Sequence, residues 1–208
     1  RVLRDFSASA SPFPSLDKID SVDAICITHA HLDHIGALPI ALRKFKRAYC
    51  FMTIPTLPLG ITMMLDVIKR VDQDFLMFHL PEWFNEDAIE RVSGRVLATK
   101  FYREFKPFEN KPLSLTFFPA GHILGAAGVL VHGEEGTVFM TGDYTPAEQY
   151  TVPPAEVPET AIDVLITETT YGGRSRRNRL LEEQKLIDTI ESTLRQGGKV
   201  LIPTFALG

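Results

Sequence analysis

Thr28-His29-Ala30-His31-Leu32-Asp33-His34 decides how the rest of the chain is read. Three of the six histidines, with an aspartate among them, fall within six positions directly after Val22 to Thr28, a β-branched, apolar run that predicts a buried strand. In extended backbone, residues two apart point the same way, so His29 and His31 can share one metal ion. Asp33 and His34 follow where the chain turns into a helix, and can face a second metal roughly 3.5–4 Å away. Imidazole nitrogens with one or two carboxylates suit a borderline-soft divalent ion such as zinc.

Two more positions extend the set. Pro119-Ala-Gly-His-Ile-Leu-Gly-Ala-Ala-Gly128 places His122 in a loop of small residues between two strands, where glycine and alanine let the backbone approach a crowded centre. Phe139-Met-Thr-Gly-Asp-Tyr-Thr145 ends a buried strand with Asp143, whose two oxygens can bridge two metals. His79 and His132 lack such neighbours and read as structural or surface histidines.

Outward from these motifs the chain alternates strands and helices. Strands are expected at Ala48 to Met52, Leu113 to Phe118, Gly125 to Val131, Thr137 to Met140, Ile162 to Thr167 and Lys199 to Pro203. His132 to Gly136 reads as a hairpin turn. Helices are expected from Ile35 to Phe45, from Thr56 to Val71, from Asn85 to about Gly94, and from Leu180 to Leu194 with Asn178 as its cap. Met63 and Met64 read as core filler. The mixture suggests sheets covered by helices, an α+β arrangement.

The 208 residues are 45% hydrophobic and 23% charged, which excludes wholesale disorder. No stretch approaches 18 uninterrupted apolar residues, so no membrane span is expected. Cys26 and Cys50 sit in apolar runs as small buried hydrophobes, which fits a reducing compartment. A net charge of −4 argues against a protein coated in basic patches. Between Lys111 and Arg174 there is no Lys or Arg but eight acidic residues, most of them read as surface carboxylates. Basic charge returns in Arg174, Arg176, Arg177 and Arg179.

The His-Ala-His-Leu-Asp-His run, Ala-Gly-His122 and Thr-Gly-Asp143 resemble successive motifs of the metallo-β-lactamase superfamily. Ile-Gly-Ala-Leu-Pro39, Gly-His-Ile-Leu-Gly-Ala-Ala127, Thr-Gly-Asp-Tyr144, Glu168-Thr-Thr-Tyr-Gly172 and Gly197-Gly-Lys-Val-Leu-Ile-Pro-Thr-Phe-Ala-Leu-Gly208 narrow the likeness to the β-CASP nucleases. That family includes the endonuclease subunit of the pre-mRNA cleavage and polyadenylation machinery and its prokaryotic relatives. The resemblance implies an α+β fold, a four-layer αββα sandwich with two zinc ions at one edge. It divides the chain into a metallo-β-lactamase core over 1–172 and the start of a β-CASP cap over 173–208. It implies that His29, His31 and His122 hold the first zinc, that Asp33 and His34 hold the second, and that Asp143 bridges them. Glu168 would orient a histidine that lies further along, in keeping with the carboxylate that metal-site imidazoles usually need; with Asp33 and Asp143 it forms the expected catalytic set. No match to the family's first acidic motif occurs in Arg1 to Asp20, and its later histidines would follow Gly208, as in a segment of a longer protein.

The activity so implied is hydrolysis of phosphodiester bonds in single-stranded RNA, with DNA as a second substrate, through a hydroxide held between two zinc ions. The Arg174 to Arg179 cluster would grip backbone phosphates. The expected setting is RNA processing or decay, cytoplasmic, or nuclear in a eukaryote, as a homodimer or a subunit of a processing complex. Two rivals are a non-catalytic scaffold of the same architecture and a small-molecule thioester or lactone hydrolase. The motifs at Glu168 to Gly172 and Gly197 to Gly208 count against the hydrolase, and the intact ligand motifs count against the scaffold.

Overall fold

The structure is a computed structural model and describes residues 14–73, 84–175 and 177–208. His79 and Arg176 lie outside the described residues. The chain divides into two compact units, Arg1–Glu168 and Thr169–Gly208.

In the first unit a short helix α1 (Pro14–Asp17) precedes β1 (Ala24–Cys26), α2 (Leu32–Ile35), α3 (Leu38–Lys44), β2 (Tyr49–Thr53), α4 (Thr56–Gln73), α5 (Glu86–Ser93) and β3 (Val96–Thr99). Strands β4 (Ser114–Pro119), β5 (Ala127–Gly133), β6 (Gly136–Met140) and β7 (Val164–Ile166) follow. Strands β1, β2 and β3 form one parallel sheet in that order. The second sheet runs β4-β5-β6-β7, antiparallel until β7, which is parallel to β6.

Alternation along β2 explains how the layers stack. Cys50 and Met52 point into a cluster with Ile35, Leu38, Leu42, Met64, Ile89 and Val92 of the helices. Phe51, between them, points the other way and packs with Leu115, Phe117, Ala127 and Val129 of the second sheet. The parallel sheet is thus covered on both faces, which is why its strands read as near-continuous apolar runs. Helix, sheet and sheet make three layers of the expected α+β sandwich within this unit. Cys50 is fully buried and Cys26 partly so. Burial pushes both thiols up to about 12, so neither is a nucleophile at neutral pH. Met64 is core, as expected, and His132 Nδ1 lies 2.8 Å from Thr137 Oγ1 across the β5–β6 hairpin, a structural contact.

Three features differ from the sequence reading. The helix expected from Ile35 to Phe45 is two helices, α2 and α3. Pro39 has no N–H to donate to the Ile35 carbonyl and its ring crowds that oxygen, so the helix must restart there. Strand β3 was not anticipated: it is four residues long and begins two positions after Gly94, which caps α5. The strand expected at Lys199 to Pro203 does not form.

That last difference belongs to the second unit, whose regular element is α6 (Arg179–Arg195). The Asn178 side chain accepts the Leu181 N–H at its start, and Gly197 takes φ +73° just past its end. Pairs Arg179–Glu183, Lys185–Glu182 and Arg195–Glu191 lie along it at 2.5, 2.8 and 2.5 Å. Among the described residues of this unit there is no strand for Lys199 to Pro203 to pair with, and an unpaired strand leaves its backbone groups to water.

Phe117, 0% exposed between the two sheets, is the largest fully buried side chain among the described residues. Phe117→Ala is expected to cost about 3–5 kcal/mol in urea unfolding with an unchanged m-value. A loss below about 1 kcal/mol would mean that the two sheets do not share this core.

Candidate metal centre

Every sequence-predicted site residue leaves its strand at one edge of the first unit. The parallel sheet delivers His29 three residues past β1, and the second sheet delivers His122 between β4 and β5 and Asp143 three residues past β6. Two backbone bonds hold these exits together: Ala127 N–H donates to the Thr28 carbonyl at 2.8 Å, and Thr145 N–H to the Ala120 carbonyl at 2.8 Å. His31 is the N-cap of α2, so Asp33 and His34 fall in that helix's single turn.

The result is four imidazoles around one carboxylate. His29 is 0% exposed, with its ring 4.0 Å from that of His34 and 4.9 Å from those of His31 and His122. His31 Nδ1 and His122 Nε2 face each other at 3.0 Å. Asp143 turns one oxygen to each side. Its Oδ2 lies 3.9 Å from His29 Nε2 and 3.7 Å from His122 Nε2, while its Oδ1 lies 3.4 Å from His34 Nε2. Two donor groups therefore share the centre, His29–His31–His122 and His29–His34–Asp143, each with its donor atoms within 4.8 Å of one another. Asp33 is outside both groups, mostly exposed, but its Oδ2 is 3.6 Å from His34 Nε2. Glu168 is outside them as well. It is half-buried, two residues past β7, and leaves the sheet at the same edge as Asp143, since β6 and β7 are parallel with Met140 opposite Ile166.

The chemistry of the donor set fits a metal. His29 Nε2 is buried and has no hydrogen-bond partner, an omission that costs about 1–3 kcal/mol for a buried polar atom. Its other nitrogen lies 3.1 Å from the Thr28 hydroxyl, which leaves Nε2 as the atom aimed into the cluster. Burial and then the charges of His34, His122 and His31 hold His29 down to about 2, so it is a neutral donor at any working pH. His122 is lowered by the same burial and by His31, with Asp143 opposing. Neutral imidazole is the form that binds a metal. Ligand atoms about 2.0–2.1 Å from a tetrahedral ion sit roughly 3.3 Å apart, which is within reach of these separations.

Residues that the sequence reading missed hold the His122 loop. Thr53 and Thr56, both fully buried, donate their hydroxyls to the Gly125 carbonyl at 2.6 and 3.0 Å and lie 2.8 Å from each other. The signal was faint: a threonine closing an apolar strand gives no hint that it reaches a residue 72 positions away. Gly125 has φ +82°, and a Cβ there would sit 2.8 Å from Thr56 N. Gly142, with φ +60°, lies against Thr28, so the residues before Asp143 and before His29 press on each other.

The chain belongs to the metallo-β-lactamase superfamily: the family described as metallo-beta-lactamase superfamily domain matches residues 4–151. Among curated proteins it is similar to Endoribonuclease ysh1 of Schizosaccharomyces pombe, 35% identical over 96% of this chain and 26% of that protein. It is also similar to an RNase J-like protein of Methanocaldococcus jannaschii, 35% identical over 100% of this chain and 46% of that one. Ribonuclease TTHA0252 of Thermus thermophilus is 36% identical over 89% of this chain and 40% of its own length. The chain thus spans less than half the length of these relatives, all ribonucleases or RNase J-like by name, in keeping with the resemblance to the β-CASP nucleases.

Two outcomes are expected of this geometry. Unfolded His29 titrates at its ordinary 6.5 and the folded residue only at about 2. Below pH 6.5 the unfolded chain therefore binds a proton that the folded one does not, and stability falls as pH falls. The melting temperature of chelator-treated protein should drop between about pH 7 and pH 5, and less steeply in His29→Gln; parallel curves would contradict the burial described. Gly125→Ala should destabilise by about 1–3 kcal/mol, the cost of a left-handed non-glycine residue. It should also weaken zinc binding about 10–100-fold in a calorimetric titration, as loss of a ligand's support does; unaltered affinity would show that the loop does not position His122.

Proposed function

We propose that the protein is a zinc-dependent ribonuclease that hydrolyses phosphodiester bonds of single-stranded RNA. The observation that carries this reading is Asp143, whose Oδ2 faces His29 and His122 while its Oδ1 faces His34. In this proposal His29, His31 and His122 hold one zinc, Asp33 and His34 hold the other, and Asp143 bridges them. Two such ions, when bound, supply a hydroxide at neutral pH and offset charge on the phosphate oxygens.

The residues of the chain do the rest. His29 and His122 stay neutral and present lone pairs, because burial disfavours their cations. The Thr28 hydroxyl fixes the direction of the His29 ring, and the Thr53–Thr56 pair fixes the loop that carries His122. Asp33, mostly exposed with its Oδ2 3.6 Å from His34 Nε2, would join His34 in holding a second ion. Glu168 would orient a histidine that lies further along, a role supported by its exit at the same edge as Asp143. The arginine cluster contributes less than its sequence suggests: Arg177 and Arg179 lie 3.6 and 2.5 Å from Glu182 and Glu183, which offset part of their charge.

RNA as substrate, and a place in RNA processing, are supported by the names of the relatives. Among the described residues no helix is long and apolar enough to cross a membrane.

The test combines metal content with turnover. Protein purified without chelators should carry about two zinc ions per chain by elemental mass spectrometry, and should cleave end-labelled single-stranded RNA. Asp143→Ala should lower cleavage by at least a hundredfold. Equal cleavage by the variant would remove this centre from the mechanism, and zinc-loaded protein inert towards RNA but active on thioesters would favour a small-molecule hydrolase.

A further inference from the structure

The far end of the parallel sheet carries a cleft rich in basic residues. A cleft of about 180 Å³ lies between α3 and α5, lined by Pro39, Leu42, Ala88 and Val92 and by four cations, Arg43, Lys46, Arg91 and Arg95. Among the described residues no carboxylate lines it. Lys46 precedes β2 and Arg95 precedes β3, whereas the metal centre sits past the other ends of these parallel strands. The length of β2 alone separates the two by roughly 17 Å.

Basic residues near helix C-termini are common, because they offset the dipole and satisfy the last carbonyls. Here one residue does that for α3. Arg95 donates to the carbonyl of Leu42 in α3 and to those of Phe45, Lys46 and Ala48 just past its end, at 2.6, 3.2, 2.9 and 3.1 Å. All four acceptors are neutral oxygens, so the guanidinium keeps its full charge. The side chains of Lys46 and Arg91 take no part in these bonds. Both are exposed, and neither has an acidic partner among the described residues. On a chain of net charge −4, like charges gathered in this way repel unless an anion joins them.

The apolar side of the cleft narrows the class of anion. Pro39, Leu42, Ala88 and Val92 are buried residues whose side chains form its floor, beneath a charged rim. A cleft of this volume, several times the roughly 30 Å³ of a water molecule in the liquid, takes more than a bare oxyanion. A nucleotide of a single strand offers both parts, phosphate for the rim and sugar or base for the floor. An acidic peptide offers the same charge, and RNA is favoured because it is the substrate of the proposed function.

We infer that the α3–α5 cleft, with Lys46 and Arg91 at its rim, binds a nucleotide unit of RNA at a distance from the metal centre. The inference rests on RNA being the substrate, and it identifies where a strand longer than the scissile nucleotides is gripped.

Fluorescence anisotropy of a labelled single-stranded RNA, in EDTA to prevent cleavage, tests it independently of turnover. Lys46→Gln/Arg91→Gln should bind at least fivefold more weakly than the unaltered protein. Its plot of log affinity against log salt should be shallower by about 1–2, one for each phosphate that the variant no longer neutralises. Arg103→Gln/Lys106→Gln, the same loss of charge on exposed residues elsewhere, should weaken binding less than twofold. The swap Lys46→Arg/Arg91→Lys should keep the affinity, which separates loss of charge from loss of fold. Equal weakening in the two glutamine pairs would overturn the inference, since binding would then follow net charge alone. No weakening in Lys46→Gln/Arg91→Gln would overturn it too, and would direct attention to an acidic protein partner. Hydrolysis of bis(p-nitrophenyl) phosphate by the zinc-loaded protein reports the metal centre alone and should be unchanged by either pair. If the unaltered protein lacks that activity, the ribonuclease reading fails independently of the binding result.

Discussion

The constraint on which the rest of the structure depends is the burial of His29 with one nitrogen left unpaired. A folded chain seldom leaves a buried ring nitrogen without a partner. Here the position is over-determined from every side. The Thr28 hydroxyl engages the other nitrogen, the Thr28 carbonyl is tied to Ala127 of the second sheet, and Gly142 closes over the Thr28 side chain. Each contact fixes the ring from a different element, so the two sheets must meet at this edge for the site to exist. The sandwich serves that meeting: Phe51, Phe117 and Val129 set the sheets face to face, and the strand ends then bring His122 and Asp143 to the histidine run.

Close approach at this edge depends on glycine. Gly121, Gly125 and Gly142 all take positive φ, and at each a Cβ would run into neighbouring backbone or into a threonine. Gly121 and Gly125 flank His122, and Gly142 precedes Asp143. The loops that bear functional side chains are therefore those in which the backbone has least freedom to carry anything else. The backbone sets the positions of the donor atoms, and the strain of positive φ falls on residues that have no side chain to clash.

Much of this could be read from the sequence, and the pattern of what could not is physical. The histidine run was legible because its donors are local: six positions hold four of them, and alternation in extended backbone already orients two. His122 and Asp143 were legible as strand-end residues beside glycine. The Thr53–Thr56 support was not, because a hydrogen bond across 72 positions leaves no local trace. Strand β3 escaped for a related reason. Val96 to Thr99 has the length of a turn, and only pairing with β2 makes it a strand. The converse error at Lys199 to Pro203 has the same root: apolar, β-branched composition is a property of the segment, whereas a strand is a property of a pair. Helix α6 was read nearly to the residue, since its cap, its acidic first turn and its closing glycine are all local signals.

Charge is arranged along the same axis as the fold. The stretch with no Lys or Arg, from 112 to 173, supplies all four strands of the second sheet and the Asp143 end of the site, so it brings no basic side chain there. Four basic residues crowd the five positions from Arg43 to Arg47, at the opposite end of the parallel sheet, and Arg91 and Arg95 join them from α5 and its exit. The side chains thus gather positive charge at one end of the parallel sheet, while the candidate metal centre lies at the other. Salt weakens the exposed cluster, with its solvent-accessible charges, far more than it weakens ligands held around a buried imidazole. A chain that is acidic overall can still attract an anion where its cations are gathered at few points rather than spread across the surface.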